Sequence, residues 1–139
     1  MTREEYLEKS KEMQIAIKNL EHEQFEMRKA YINEHKQVKE ELPVKIHYIH
    51  SSEKDNYTME DDAYIKRFDM FDYKYYEYYT TYHIDQPFRP SDGLVYPVLI
   101  KAKKDGSMSR FELHYPKCGT FKFWVVGKED EVYEIDFGR

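Results

Sequence analysis

The run from Leu94 to Tyr115, LVYPVLIKAKKDGSMSRFELHY, alternates apolar and polar residues on either side of Asp105-Gly106. That pattern predicts a β-hairpin, because an Asp-Gly pair suits a tight turn whose two central residues need positive φ. With Asp105-Gly106 as the whole loop, Lys104 faces Ser107. The register that follows pairs Ala102 with Ser109, Ile100 with Phe111, Val98 with Leu113 and Tyr96 with Tyr115. One face of the hairpin is then almost wholly apolar. A slip of one residue would set Ile100 and Val98 opposite polar side chains, so turn chemistry and alternation point to the same register.

A second hairpin closes the sequence. Phe121 to Val126 alternates cleanly, and with Gly127 to Glu131 as the turn Phe123 faces Ile135, Phe121 faces Phe137 and Lys122 meets Asp136, an opposite-charge pair that favours this register. Upstream, Val44 to His50 reads as a first strand with Val44, Ile46 and Tyr48 inward, followed by a polar, acidic loop from Ser51 to Asp62. Ala63 to Phe71 fits either a short helix or a strand, and Tyr73 to Ile84 a strand. Pro97 cannot donate to a ladder, so its strand is expected to be an edge there, or bulged.

Residues 1–42 are different in kind. Thr2 and Glu5 form a capping-box pattern, and nothing from Arg3 to Leu42 is Gly or Pro, which predicts a helix running towards Pro43, with Asn33 as a candidate break. Tyr6, Ser10, Met13, Ile17, Leu20, Gln24, Met27, Tyr31, Glu34 and Val38 alternate steps of four and three. Such a stripe is either the seam of a coiled coil or the buried side of an amphipathic helix packed on its own domain. A straight helix of this length extends ~60 Å, whereas a body of about a hundred residues has a radius of gyration near ~13 Å. The overhang favours pairing, with Met13, Ile17, Leu20, Met27 and Tyr31 as the self-association residues.

The fold class expected is therefore α+β: a long N-terminal amphipathic helix (1–42), coiled-coil-like, followed by a five- to six-stranded antiparallel sheet or small SH3-like barrel (43–139), together one structural domain. The 14 Tyr and 8 Phe among 139 residues supply core volume where smaller apolar residues are scarce. The net charge of −5 is uneven: residues 1–42 carry 8 basic and 10 acidic side chains, 43–86 carry 5 and 9, and 87–139 carry 9 and 8. Only the last third is not acidic, which disfavours a dedicated nucleic-acid binder. Cys118 is the only cysteine, and the opening residues MTREEYLEKSKEM lack an apolar leader core. With no window near the roughly 18 apolar residues of a membrane span, a cytoplasmic chain without a membrane partner is expected.

No stretch carries a catalytic or cofactor motif, and no cofactor or metal is expected. His47 and His50 are three apart on a strand and point to opposite faces; His83, His114 and Cys118 lack metal-site spacing. A Cys118–His114 nucleophile pair has no third, orienting group, although Lys117 beside Cys118 would favour a thiolate. The Tyr-rich run from Tyr73 to Tyr82 offers rings for stacking, yet the acidic residues around it repel phosphate. The basic hairpin face is more pointed. In the expected register Lys101 opposes Arg110, with Lys103 and Lys104 alongside, and opposed like charges suggest an anionic partner unless the lysines simply guard an edge.

The sequence thus favours a small non-enzymatic interaction protein that forms a homodimer through its helix and binds a protein partner through its β domain. The alternatives are a nucleic-acid-binding module using Lys101, Lys103, Lys104 and Arg110, and a ligand-binding or catalytic barrel lined by tyrosines.

Overall fold

The computed structural model describes residues 1–71 and 90–138. The expected strand from Tyr73 to Ile84, and His83 within it, fall outside the described residues. The chain divides into two compact units, residues 1–35 and 36–139.

The first unit is helix α1, Arg3–His35. The Thr2 hydroxyl accepts the Glu5 amide at 3.1 Å and the Thr2 carbonyl accepts the Tyr6 amide, so the cap lies where the sequence places it. The helix stops at His35, two residues past Asn33 and short of the reach towards Pro43. Tertiary contacts take over there. Val38 is fully buried and the Gln37 side-chain amide donates to the Val95 carbonyl at 3.1 Å, both within the second unit, and such burial overrides helix propensity. Val38 therefore leaves the helical stripe and joins the core of the second unit.

Among the described residues the second unit holds six strands: β1 Val44–Ser52, β2 Tyr57–Met70, β3 Val95–Ala102, β4 Met108–Leu113, β5 Gly119–Val125 and β6 Tyr133–Gly138. They form one antiparallel sheet in the order β4-β3-β2-β1-β5-β6. Among the described strands the end strands β4 and β6 do not pair with each other, so these six form an open sheet rather than the closed barrel. It nonetheless curls. Phe137 on β6 lies 6.2 Å from the rings of Tyr96 on β3, Phe71 after β2 and Tyr115 after β4.

Alternation builds the core as expected on β1, where Ile46, Tyr48 and His50 are buried, joined across the ladders by Ala63, Ile65, Leu99, Phe121, Phe123, Val125 and Ile135. Tyr48 and Tyr115 stack on Phe121 at 5.4 and 5.0 Å. The expected Ser51–Asp62 loop is instead the tight connection of the β1–β2 hairpin. Its turn is closed by the Asn56 amide on the Glu53 carbonyl, with Asn56 at φ 50°, a conformation asparagine tolerates. Ala63 to Phe71, open between helix and strand, falls almost wholly within β2.

The β3–β4 hairpin exists, but in another register. The Gly106 amide bonds to the Lys103 carbonyl and the Lys103 amide to the Ser107 carbonyl, so the loop is Lys104-Asp105-Gly106, with positive φ at Gly106 alone. This is the three-residue loop in which a glycine after the turn forms a bulge. The extra loop residue and a second irregularity between Ile100 and Ala102 pair Ala102 with Met108, Ile100 with Glu112 and Leu99 with Leu113. Ile100 and Phe111 consequently lie on opposite faces: Ile100 is 8% exposed and Phe111 76%. The core face of β3 is Val95, Pro97 and Leu99. The Tyr64 hydroxyl donates to the Gly106 carbonyl at 2.7 Å, and Tyr64 pairs with Ile100, placing the loop by the face on which Ile100 is buried.

Pro97 lies beyond the last β4 pair, where among the described strands β3 has only β2 beside it, and β2 carries a bulge between Ile65 and Arg67. The β5–β6 pair keeps its expected faces but slides by two residues, giving Phe121–Ile135, Lys122–Glu134 and Phe123–Tyr133. The connection runs from Val126 to Val132, longer than the expected turn.

Candidate functional site

Three constellations emerge, and the most extensive is on α1. No residue of this helix is buried. Met13, Ile17, Leu20, Met27 and Tyr31 are all exposed, Leu20 at 64% and Met27 at 68%. With 3.6 residues per turn, these five and Tyr6 fall within roughly 80° of arc, a single stripe. Leu7 and Phe25 lie outside it. Local contacts on the helix include Tyr31 against His35 at 4.3 Å and the Lys29 amine 5.3 Å from the Phe25 ring.

The second constellation is the basic hairpin. Lys101, Lys103, Lys104 and Arg110 are all exposed, and the Lys45 amine approaches Gly106, 3.3 Å from where a side chain there would begin. The structure does not set Lys101 opposite Arg110. Lys101 pairs with Ala63 of β2 and falls in the irregular stretch between the Ile100–Glu112 and Ala102–Met108 pairs. The like-charge opposition that drew attention to this face is therefore absent. On the neighbouring surface Glu112 accepts from Arg67 at 3.0 Å and from Lys66 at 3.4 Å, and these bonds hold its carboxyl below the ordinary glutamate range.

The third was not legible in sequence. His50, buried on β1, contacts the Cys118 carbonyl through Nε2 at 2.8 Å and the Tyr57 hydroxyl at 3.0 and 3.3 Å. The Cys118 thiol lies 3.8 Å from that hydroxyl and donates to the Asp55 carboxylate at 3.6 Å. Tyr57 is pushed up to about 12 by desolvation first, then by Cys118 and Asp55. Three chain segments converge because Gly119, at φ +70°, packs its backbone against Ser51 and Ser52. Histidine beside cysteine invites a nucleophilic reading, but His50 faces the cysteine's carbonyl rather than its thiol. The cluster therefore joins β1 to the start of β5, with the imidazole on the Cys118 carbonyl and the thiol on the Asp55 carboxylate.

The remaining sequence candidates separate. His47 faces away from the core, 2.7 Å from Asp62 and 5.0 Å from the Trp124 ring, so His47 and His50 do occupy opposite faces. His114 is exposed, and Cys118 meets His50 instead. Among the described residues no group of three or more His, Cys, Asp or Glu is placed to hold a metal ion, and no helix is long and apolar enough to cross a membrane. On the inner face of the curled sheet the Tyr115 ring stacks on Phe121 and its hydroxyl donates to the Pro97 carbonyl at 2.6 Å. A groove of about 750 Å³ beside Ser51, Ser52, Lys54, Thr120 and Asp136 is lined by polar and apolar surface in nearly equal measure.

No family model, no curated protein and no solved structure matches the chain.

Proposed function

We propose that this chain is a non-enzymatic, cytoplasmic interaction protein that pairs with a second copy of itself through α1 and presents its β unit to a protein partner. The observation that carries the reading is a 33-residue helix with no buried residue and an apolar stripe along one side. Helices in proteins draw most of their stability from packing an amphipathic face. Each large apolar side chain left in water forgoes ~1.5–3 kcal/mol, and a stripe of this kind is self-complementary about a two-fold axis. The sole cysteine, outside any disulfide, suits a reducing compartment.

Light scattering on the intact chain tests this. The wild type at tens of micromolar is expected at the mass of a dimer, and Ile17→Asp with Leu20→Asp at that of a monomer with an unchanged β-sheet signal. A monomeric wild type would overturn the reading.

A nucleic-acid-binding role has one observation in its favour: the Lys45 amine joins exposed Lys103 and Lys104 at the hairpin loop. Titration of a labelled oligonucleotide at two salt concentrations separates this reading, since phosphate contacts weaken steeply with salt.

A further inference from the structure

Resting on helix-mediated pairing, we infer that the two copies of α1 run antiparallel. The spacing of the seam is symmetric about the midpoint between Ile17 and Leu20, with like residues at the Ile17–Leu20 and Tyr6–Tyr31 positions. Reversing one copy packs Ile17 against Leu20, Met13 against Gln24, Ser10 against Met27, Tyr6 against Tyr31 and Arg3 against Glu34, each pair made twice by the two-fold axis. The polar seam residues Ser10 and Gln24 each meet a methionine, whose flexible thioether adapts to an uneven neighbour. The aromatic rings pair with each other, and the charges at the two ends are opposite. Because α1 spans Arg3–His35, these layers use the helix from end to end with no overhang.

A parallel, in-register pair gives the opposite result at both ends, setting Arg3 against Arg3 and Glu34 against Glu34 in the seam. It leaves Ser10 facing Ser10 and Gln24 facing Gln24. On its rim Glu23 would meet Arg28 of the partner, an attraction set against like-charge repulsion at both seam ends, whereas the antiparallel pair has attraction at both. The antiparallel rim sets Leu7 by Arg28, Gln14 by Glu21, Ala16 by Glu23 and Lys9 by Ala30, with no like charges opposed. The ends of the seam therefore decide the orientation.

Disulfide trapping in the full-length chain distinguishes the arrangements. Cys118→Ser removes the native thiol, and Tyr6→Cys and Tyr31→Cys are introduced in separate chains, each checked by light scattering. On mild oxidation the mixture is expected to give a covalent dimer joining residue 6 of one chain to residue 31 of the other, with little product from either variant alone. Cross-linking of each variant with itself, and not between them, would overturn the antiparallel arrangement while leaving self-association intact. A dimeric mass without a mixed disulfide would also overturn this register. A monomeric mass for the wild type as well as the variants would overturn the pairing itself.

Discussion

A Cβ added at Gly119 would lie 2.1 Å from the Ser51 carbonyl oxygen and 2.9 Å from the Ser52 Cα. Both obstacles are backbone, so neither can turn aside, and the positive φ of Gly119 adds strain for any other residue. Gly119→Ala is expected to destabilise the β unit by about 3 kcal/mol or more, combining overpacking with backbone strain. Urea unfolding followed by tryptophan fluorescence measures it. A loss below 1 kcal/mol would show that β5 can lift away from β1 at little cost.

Gly106 at φ +87° completes the three-residue loop. Gly106→Val should lower stability by roughly 1–2 kcal/mol, because a β-branched residue resists that conformation, whereas Gly106→Asn should be nearly neutral. Thermal melts of the two variants are compared directly. Equal effects would remove the conformational explanation.

The Tyr115 hydroxyl is buried and donates to the Pro97 carbonyl, a group on the part of β3 that β4 does not reach. Tyr115→Phe strands that acceptor at an expected cost of about 1–2 kcal/mol. An unchanged urea midpoint would show that solvent replaces the hydroxyl.

Alkaline conditions should be selectively damaging. An unfolded tyrosine ionises near pH ~10, whereas Tyr57 in the fold is held up to about 12, chiefly by desolvation, and burial raises Tyr115 as well. The folded state keeps these protons longer than the unfolded chain. Their contribution is complete below pH ~10 and is lost as pH rises through the folded values. The urea midpoint should fall steeply from pH 10 to 12, and Tyr57→Phe should make that fall shallower. Parallel slopes for the two proteins would remove Tyr57 from the account.

Cys118→Ser should be tolerated within about 1 kcal/mol, because the thiol is only partly buried and a hydroxyl can keep the contacts to Asp55 and Tyr57. Circular dichroism of the variant checks this. A larger loss would mean that the sulfur's size, rather than its weak bonds, holds β5 in place.

How much of this was readable beforehand depends on which force set each feature. The Thr2 cap, the inward face of β1 and the α+β class follow from local pattern, and all are present. The hairpin at Asp105-Gly106 was legible, but its register was not: an Asp-Gly pair serves a two-residue loop and also a three-residue loop ending in glycine, and the choice fell to contacts such as Tyr64 on Gly106. In β2 the buried residues are Ala63, Ile65 and Phe68. The aromatics Tyr64, Phe68 and Phe71 also recur at a helical spacing, which is why that stretch read two ways. The His50, Tyr57 and Cys118 cluster joins residues far apart in sequence, and the single cue was a glycine directly after the cysteine. The part of the stripe from Tyr6 to Glu34 does lie on one helix, since a 3.6-residue period is a local property, whereas Val38 falls beyond its end.

The bulge between Ile65 and Arg67 lets Val98 of β3 pair with Arg67 after Leu99 has paired with Ile65. One extra residue thus exchanges the inward and outward roles of every later position in β2. A distant relative lacking that residue would keep the same sheet while carrying the opposite polarity pattern from there to the end of the strand. Alignments of such sequences should therefore admit a one-residue gap in the middle of this strand, the place where gap penalties are ordinarily harshest.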